Sequence, residues 1–444
     1  MILSGIVLIL LCLFIYFNKY FKVDGLKPWV FPSLFLLKVI FAVIVWYYYY
    51  YIAGYKNDSD MYEYFNKAEF LYLKLKNSPL ELIKVILYLP VNPATHKLLN
   101  ETYGWNRDFG YGLINDNRIM FRLNLFIRTF SQGHYFAHLI VFTFIGFTGL
   151  LCLVKTYVIF QIKQIHQVVI LVFLIPSSLF WLGGIYKESL LMVAIGGILF
   201  HCAKLIYQRN FTIFNISMLL FFIFISLQVK PIISYLFLSF IFSFLLFKVI
   251  QVNYSKLNLR LFFLLIFSFV AFILILSDRN TRDTKYNIKN GDSFHFIEML
   301  TYKQDDFLDD SKAEDPSTFV AIPALDGLYS SLIKSIPSAT SNIFLCPLFS
   351  RPIQTETLPF IIESSLLFIG VLLLILFRKP VDQNFGEFSF LTTYFSIISL
   401  LLLGILIPIL GLTIKYKSVL MPMLFATVFL QIDWKGVLLK LKIK

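Results

Sequence analysis

Long apolar runs separated by short polar loops make up most of the chain, and two longer polar segments interrupt them. A helix rises about 1.5 Å per residue and the hydrocarbon core of a bilayer is about 30 Å thick, so apolar runs of about 17 to 25 residues predict spanning helices. About eleven are predicted, near 2–17, 31–52, 135–154, 167–182, 189–207, 212–228, 232–249, 259–277, 358–377, 388–410 and 418–432. The expected fold class is all-α: a polytopic bundle of transmembrane helices forming a single integral membrane domain over 1–444. The first run, "MILSGIVLILLCLFIYF", has no basic stretch and no small-residue cleavage site, so it is expected to stay as a span and not leave as a signal peptide.

Lys and Arg prefer the cytoplasmic side of short loops. With the N-terminus outside and the C-terminus cytoplasmic, the inner segments hold Lys19, Lys22 and Lys27, then Lys155 and Lys163, Lys204 and Arg209, Lys248, Lys256 and Arg260, Arg378 and Lys379, and the tail lysines from Lys435 to Lys444. The opposite short loops hold only Lys187, Lys230, Lys415 and Lys417. The polar segments 53–134 and 278–357 then become external loops. In the first, Met61, Phe65, Ala68, Tyr72 and Leu75 recur at spacings of four, three, four and three, the apolar stripe of an amphipathic helix. "PLELIKVILYLP" is similar, with Glu81 and Lys84 on one side. Such helices are expected to lie in the interface, their stripes against headgroups or spans.

Composition agrees with this reading: of 444 residues 58% are hydrophobic and 15% charged, against about 25% charged in soluble domains, and mean hydropathy is +0.76. A net charge of +13 could suit nucleic acid, but the basic residues are dispersed among short loops and not gathered on one soluble face or motif. Cys12, Cys152 and Cys202 lie in apolar runs and Cys346 in a polar loop, with no CxxC, so no disulfide framework, metal site or haem attachment is read.

In this orientation the unusual polar residues collect at the external surface. Asp58 and Asp60 open the first loop in "YKNDSDMYEYF", and Arg118 and Arg122 lie a helical turn apart near its end. Lys187 and Glu188 stand where "PSSLFWLGGIYKESLL" re-enters the membrane, Lys230 starts a helix, and Arg351 precedes a span. Glu363 lies a turn inside that span, and Lys415 and Lys417 close the last external turn. An acidic cluster, several cations and a membrane boundary suit a lipid-linked, phosphorylated substrate. Each residue also has a plainer reading. Asp60 followed by Glu63 resembles a capping box, and Asp58 could cap the same helix. Glu188 could complement a helix dipole, and the lysines could snorkel as interfacial anchors. Glu363 has the weakest plain reading, because a carboxylate within hydrocarbon is costly and usually marks a partner or a pathway.

Three other features carry less. "QDDFLDDSKAED" looks superficially like an aspartate-rich magnesium motif, but a charge run in a long loop is ordinarily a solvated face. His138 and His201 stand in predicted spans without ligand spacing, so packing or helix-to-helix hydrogen bonding is expected of them. Gly183 and Gly184 belong to no nucleotide-binding loop.

"NDSDMYEYF", "PSSLFWLGGIYKESLL", "LFSRPIQTE" with "IIES", and "GLTIKYKSVLMPML" together resemble the GT-C superfamily of membrane glycosyltransferases, in particular its bacterial surface-polysaccharide members. The resemblance implies transfer of a sugar from a polyprenyl-phosphate-linked donor to a glycan, lipid or protein acceptor on the external face of a bacterial inner membrane. By analogy Asp58 or Asp60 serves as general base, and Arg118, Arg122, Lys187, Glu188, Lys230, Arg351, Glu363, Lys415 and Lys417 surround lipid phosphate and sugar. No cofactor is implied, although a carboxylate-bound divalent cation is compatible. The acidic motif here follows the second span, whereas in the superfamily it follows the first, which leaves the choice between Asp58 and Asp60 open. Competing readings are a glycan polymerase or ligase, whose Arg-x10-Gly pattern Arg122 to Gly133 satisfies, a lipid-linked-glycan transporter, and a non-catalytic subunit of a glycan-assembly complex.

Overall fold

The computed structural model describes residues 2–54, 59–102, 116–160, 162, 164–253, 262, 296–313, 319–345 and 358–440. Among these the regular elements are all helical, with no strand. In chain order they are α1 Ile2–Phe17, α2 Val30–Tyr47 with a π turn to Ile52, α3 Asp60–Leu75, α4 Pro79–Ile86, α5 Pro93–Glu101, α6 Asp116–Ser131 and α7 Tyr135–Ile159. Then follow α8 Ile165–Phe173, α9 Pro176–Trp181, α10 Lys187–Tyr207, α11 Ile213–Val229, α12 Pro231–Asn253, α13 Phe296–Ala313, α14 Tyr329–Lys334 and α15 Ile336–Thr340. The last are α16 Leu358–Leu376, α17 Gln383–Leu406, α18 Leu410–Lys417, α19 Met421–Phe429 and α20 Trp434–Lys440.

Among the described residues six helices are long and apolar enough to cross a membrane: Val30–Ile52, Tyr135–Ile159, Lys187–Tyr207, Pro231–Gln251, Leu358–Leu376 and Gln383–Leu406. A seventh is counted if α18 and α19, bent by 61°, form one broken span. The count expected from apolar runs was larger for identifiable reasons. α1 and α11 are apolar but only 16 and 17 residues long. The run 167–182 is divided between α8 and α9 at Pro176, whose missing N–H and steric bulk disfavour helix before it. The run 259–277 lies outside the described residues apart from Phe262.

The chain forms two compact units. The first comprises Met1–Leu174 and Ser178–Ser234. Its centre is the pair α7 and α10, which run in the same direction, Gly146 facing Ser189 and Gly149 facing Met192 and Gly196. Gly149 and Gly196 bring the two backbones into direct contact, which only residues without a Cβ allow in a helix pair. α11 lies antiparallel on α10, with Phe222 over Gly197 and His201 Nδ1 bonded to Asn215 Oδ1 at 3.2 Å. α2 lies antiparallel on α7, placing Phe35 against Phe147 and Trp46 against Phe136. Gly196→Val should therefore separate α7 from α10 and destabilise the first unit by ~3 kcal/mol or more. Thermal unfolding in detergent checks this, and a loss below about 1 kcal/mol would contradict the close packing.

α3 buries Met61, Phe65, Ala68 and Leu75 of the expected stripe, and also Tyr64 and Leu71. That face packs on protein: Tyr64 against Phe121 of α6, and Phe65 against Tyr135 and His138 of α7. α6 is pinned to α7 by a closed polar network. Asn124 Nδ2 donates to the Met120 carbonyl at 2.9 Å, so its Oδ1 is left to accept from His138 Nδ1 at 2.9 Å, and His138 Nε2 accepts from Ser131 Oγ at 2.7 Å. Asn124, Ser131 and His138 are fully buried, which suits a satisfied network that fixes a helix junction.

The second unit comprises Ile175–Ser177 and Tyr235–Lys444. α12 packs on α17 through Phe237 and Phe395, and Lys248 pairs with Glu387. α17 stops at Leu406 before Pro408, and the extended break pairs with the chain at 319–320, Val320 donating to the Pro408 carbonyl. The buried Gln304 side chain of α13 latches onto the same end, donating to Pro323 and Ile405 carbonyls and accepting from the Leu325 N–H. The acidic run as far as Ala313 sits on α13, with Lys303 paired to Asp306 and Lys312 to Asp309 at i,i+3 spacing, and its last two residues lie outside the described ones. Lys415 and Lys417, expected at the last external turn, stand in a helix directly before the turn at 418–420. They end α18 and are 6% and 1% exposed, because Pro408 ends the preceding helix early and α18 starts a new one inside the packed body.

Candidate functional site

The first unit gathers several charged residues around the turn between α9 and α10. Gly184 takes φ +88, a left-handed conformation that suits glycine, and its N–H donates to Thr143 Oγ1 at 3.0 Å. A Cβ on Gly183 would press within 3.1 Å of Ala42 and 3.3 Å of the Lys38 carbonyl, so this glycine lets the turn lie against α2. The Gly-Gly pair is thus a close-packing device. It delivers Tyr186, Lys187 and Glu188 to the start of α10, beside the first turn of α3, where Met61 Sδ approaches Gly184.

Glu188 is 1% exposed; Oε1 accepts from Lys230 Nζ at 2.9 Å, while Oε2 is buried without a hydrogen-bond partner among the described residues. The pair closes the junction between the start of α10 and the end of α11. Lys187 Nζ lies 5.5 Å from the Tyr64 ring centroid, tying α10 to α3. Burial pushes the Tyr186 hydroxyl well above the ordinary phenol range, and the charges of Tyr49, Tyr135, Asp60 and Glu188 add to the effect. Tyr186 therefore keeps its proton. Trp181 and Tyr49 complete an aromatic wall, at 5.5 Å from Tyr186 and 6.0 Å from Trp181 respectively. A buried carboxylate oxygen without a donor can accept a proton, and an adjacent ammonium can stabilise developing negative charge.

The structure thus brings Asp60, Lys187, Glu188 and Lys230 into one region. Asp60 is the first residue of α3, and the preceding Ser59 makes no side-chain capping bond. Arg118 and Arg122 form another contact set, on α4: Arg122 lies 3.5 Å over the Tyr88 ring and donates to the Val85 carbonyl at 2.9 Å. Burial lowers the pKa of both guanidinium groups, with Tyr88 opposing. Tyr88 holds its ring there with a strained φ of +60. Gly133 is occupied differently, since a Cβ would strike the Arg128 guanidinium. Asp58 and Arg351 lie outside the described residues.

In the second unit Glu363 is fully buried on α16. Its Oε2 accepts from the Ser177 backbone N–H at 2.6 Å, and Lys417 Nζ lies 3.8 Å from Oε1. Oε1 has no hydrogen bond, and Ser177 Oγ and Ser364 Oγ are likewise buried without partners among the described residues. The expectation that Glu363 has a partner thus resolves into an ion pair with Lys417.

Two participants escaped sequence reasoning, Tyr186 and the Ser177 amide, and so did one buried cation outside the site, Lys38. The last is a lysine in the interior of an apolar helix, a signal that was available in the sequence. Among the described residues no group of three or more His, Cys, Asp or Glu is placed to hold a metal ion. Compared with known proteins, the chain matches no protein-family model, no curated protein and no solved structure.

Proposed function

We propose that this membrane protein is a glycosyltransferase that moves a sugar from a polyprenyl-phosphate-linked donor to a glycan, lipid or protein acceptor during bacterial cell-surface glycan assembly. What carries the reading is the convergence of Asp60, Tyr186, Glu188 and Lys230 at the ends of apolar helices. Asp60 acts as general base on the acceptor hydroxyl while the anomeric carbon is attacked. Lys230, anchored by Glu188, and Lys187 offset the charge of the departing lipid phosphate, and Tyr186 donates a hydrogen bond to it. The site faces outward across the inner membrane, with the N-terminus outside. In the same reading α1, α8 with α9, α11 and the run 259–277 also cross, for about eleven spans, and α3 to α6 line the interface.

The test is purified protein in liposomes with a polyprenyl-phosphate-linked radiolabelled sugar and cell-envelope acceptors. Label released from the lipid and joined to acceptor is the expected result. Label carried across the bilayer with the lipid bond intact would assign transport instead, and a ladder of repeat lengths would assign a polymerase.

A further inference from the structure

Lys155 and Lys204 play no part in the site described so far. Each stands one turn before the end of its helix, Lys155 on α7 and Lys204 on α10, so the parallel pair carries both at the end opposite Lys187. Lys155 Nζ lies 3.9 Å from the ring centroid of Tyr20, just past α1, and 5.8 Å from that of Phe200. Lys204 Nζ lies 4.6 Å from the centroid of the same Phe200 ring. The two ammonium groups thus share an aromatic neighbour and are close enough to repel. Among the described residues neither has an ion pair or a side-chain hydrogen bond, and no carboxylate acts on Lys155. An aromatic face attracts a cation without cancelling its charge, so an anion between the two would relieve their repulsion. Both side chains are half-buried, which leaves them open to a ligand from the surface of the bundle.

The location selects the kind of anion. From Lys187 to Lys204 α10 rises about 25 Å, close to the ~30 Å thickness of a hydrocarbon core. With Lys187 at one boundary of the bilayer, Lys155 and Lys204 stand at the other, at the depth of lipid phosphates. Phe160 packs on Tyr207 at 4.9 Å at the same helix ends, aromatic side chains of the kind that populate such a boundary. One turn before Tyr20, α1 exposes Tyr16 and Phe17, a surface on which an acyl chain can lie. We infer that Lys155 and Lys204 clamp the headgroup phosphate of an anionic glycerophospholipid at the ends of α7 and α10. A phosphate bridging the two braces these helix ends against each other. The site lies a bilayer's depth from the groups assigned to glycosyl transfer and does not depend on that assignment.

The experiment combines native mass spectrometry and thermal unfolding of the delipidated full chain in neutral detergent. Its probes are phosphatidylglycerol and phosphatidylethanolamine of equal chain length, the second of which offsets its phosphate with its own ammonium. Wild type should prefer phosphatidylglycerol by about tenfold or more, as two charge-assisted contacts to one phosphate allow, and should melt at a higher temperature with it. Lys155→Met and Lys204→Met should each weaken the preference several-fold, and the double variant should abolish it. Without lipid the melting temperature of each variant should hold or rise, because the mutual repulsion is gone. Lys22→Met removes an exposed lysine of the loop after α1, outside the pair, and should keep the preference. If the double variant does not fold, the single variants decide. A preference unchanged in both of them overturns the proposal, and so does an equal loss in Lys22→Met, which would show a diffuse basic surface in place of a site. If millimolar inorganic phosphate stabilised wild type as much as the lipid does, the pair would belong to a soluble anion and the lipid reading would fall.

Discussion

Asp60→Asn is expected to slow glycosyl transfer by about 100-fold or more, within the range a positioned general base contributes. Asparagine suits the substitution because it keeps the size and shape of the side chain while removing its charge and its capacity to take a proton. If Asp60 served only to begin α3, the variant would fold and work normally. As a base it would lose the oxygen that takes the proton, and the rate would fall with stability unchanged. Asp58→Asn in the same assay settles which aspartate of the motif bears the role. Glu188→Gln should also lower kcat, because Lys230 would lose the carboxylate that holds it at 2.9 Å. Measured kcat and KM, with the melting temperature of each variant, decide the matter. If Asp60→Asn and Asp58→Asn both kept more than about half the wild-type rate, the base assignment would fail.

The buried pair of the second unit should dominate stability. Glu363→Leu leaves Lys417 without a counter-charge and the Ser177 N–H without an acceptor, and Lys417→Met leaves the Glu363 carboxylate uncompensated. Each is expected to cost roughly 3–5 kcal/mol, the usual penalty for removing one partner of a buried ion pair. The double variant should recover most of that, because two apolar side chains need no compensation, and retain a deficit of about 1–3 kcal/mol for the orphaned Ser177 amide. Equilibrium unfolding in mixed micelles gives the four corners of this cycle. Additive single effects would show that the 3.8 Å separation carries no coupling.

Much of this arrangement was legible before any coordinates. The apolar runs at 31–52, 135–154, 189–207, 232–249, 358–377 and 388–410 each coincide with a helix long enough to cross a membrane. The stripe from Met61 to Leu75 marks the buried face of α3, apart from a half-buried Tyr72. The site residues were partly legible too, because a carboxylate in an apolar run, as at Glu363, is costly enough to advertise itself. Where reading from runs went astray, local chemistry interrupted a uniformly apolar stretch. Pro176 divides α8 from α9, and Pro408 ends α17 early and sends Lys415 and Lys417 into the interior. Hydropathy averages over a window and does not register such breaks.

What the sequence alone determined is therefore the solvent this chain is built for and the class of structure that solvent permits. In hydrocarbon every backbone polar group must be satisfied within the element, so an apolar chain of this kind folds into helices. Which side chains meet was left to the tertiary structure. Glu188 and Lys230 stand 42 positions apart, Glu363 and Lys417 still further, and Lys38 reaches Ser178 across 140. Only backbone contact at Gly149 and Gly196, and turns closed at Gly183 and Gly184, set the helix registers that bring the first and last of these pairs within bonding distance.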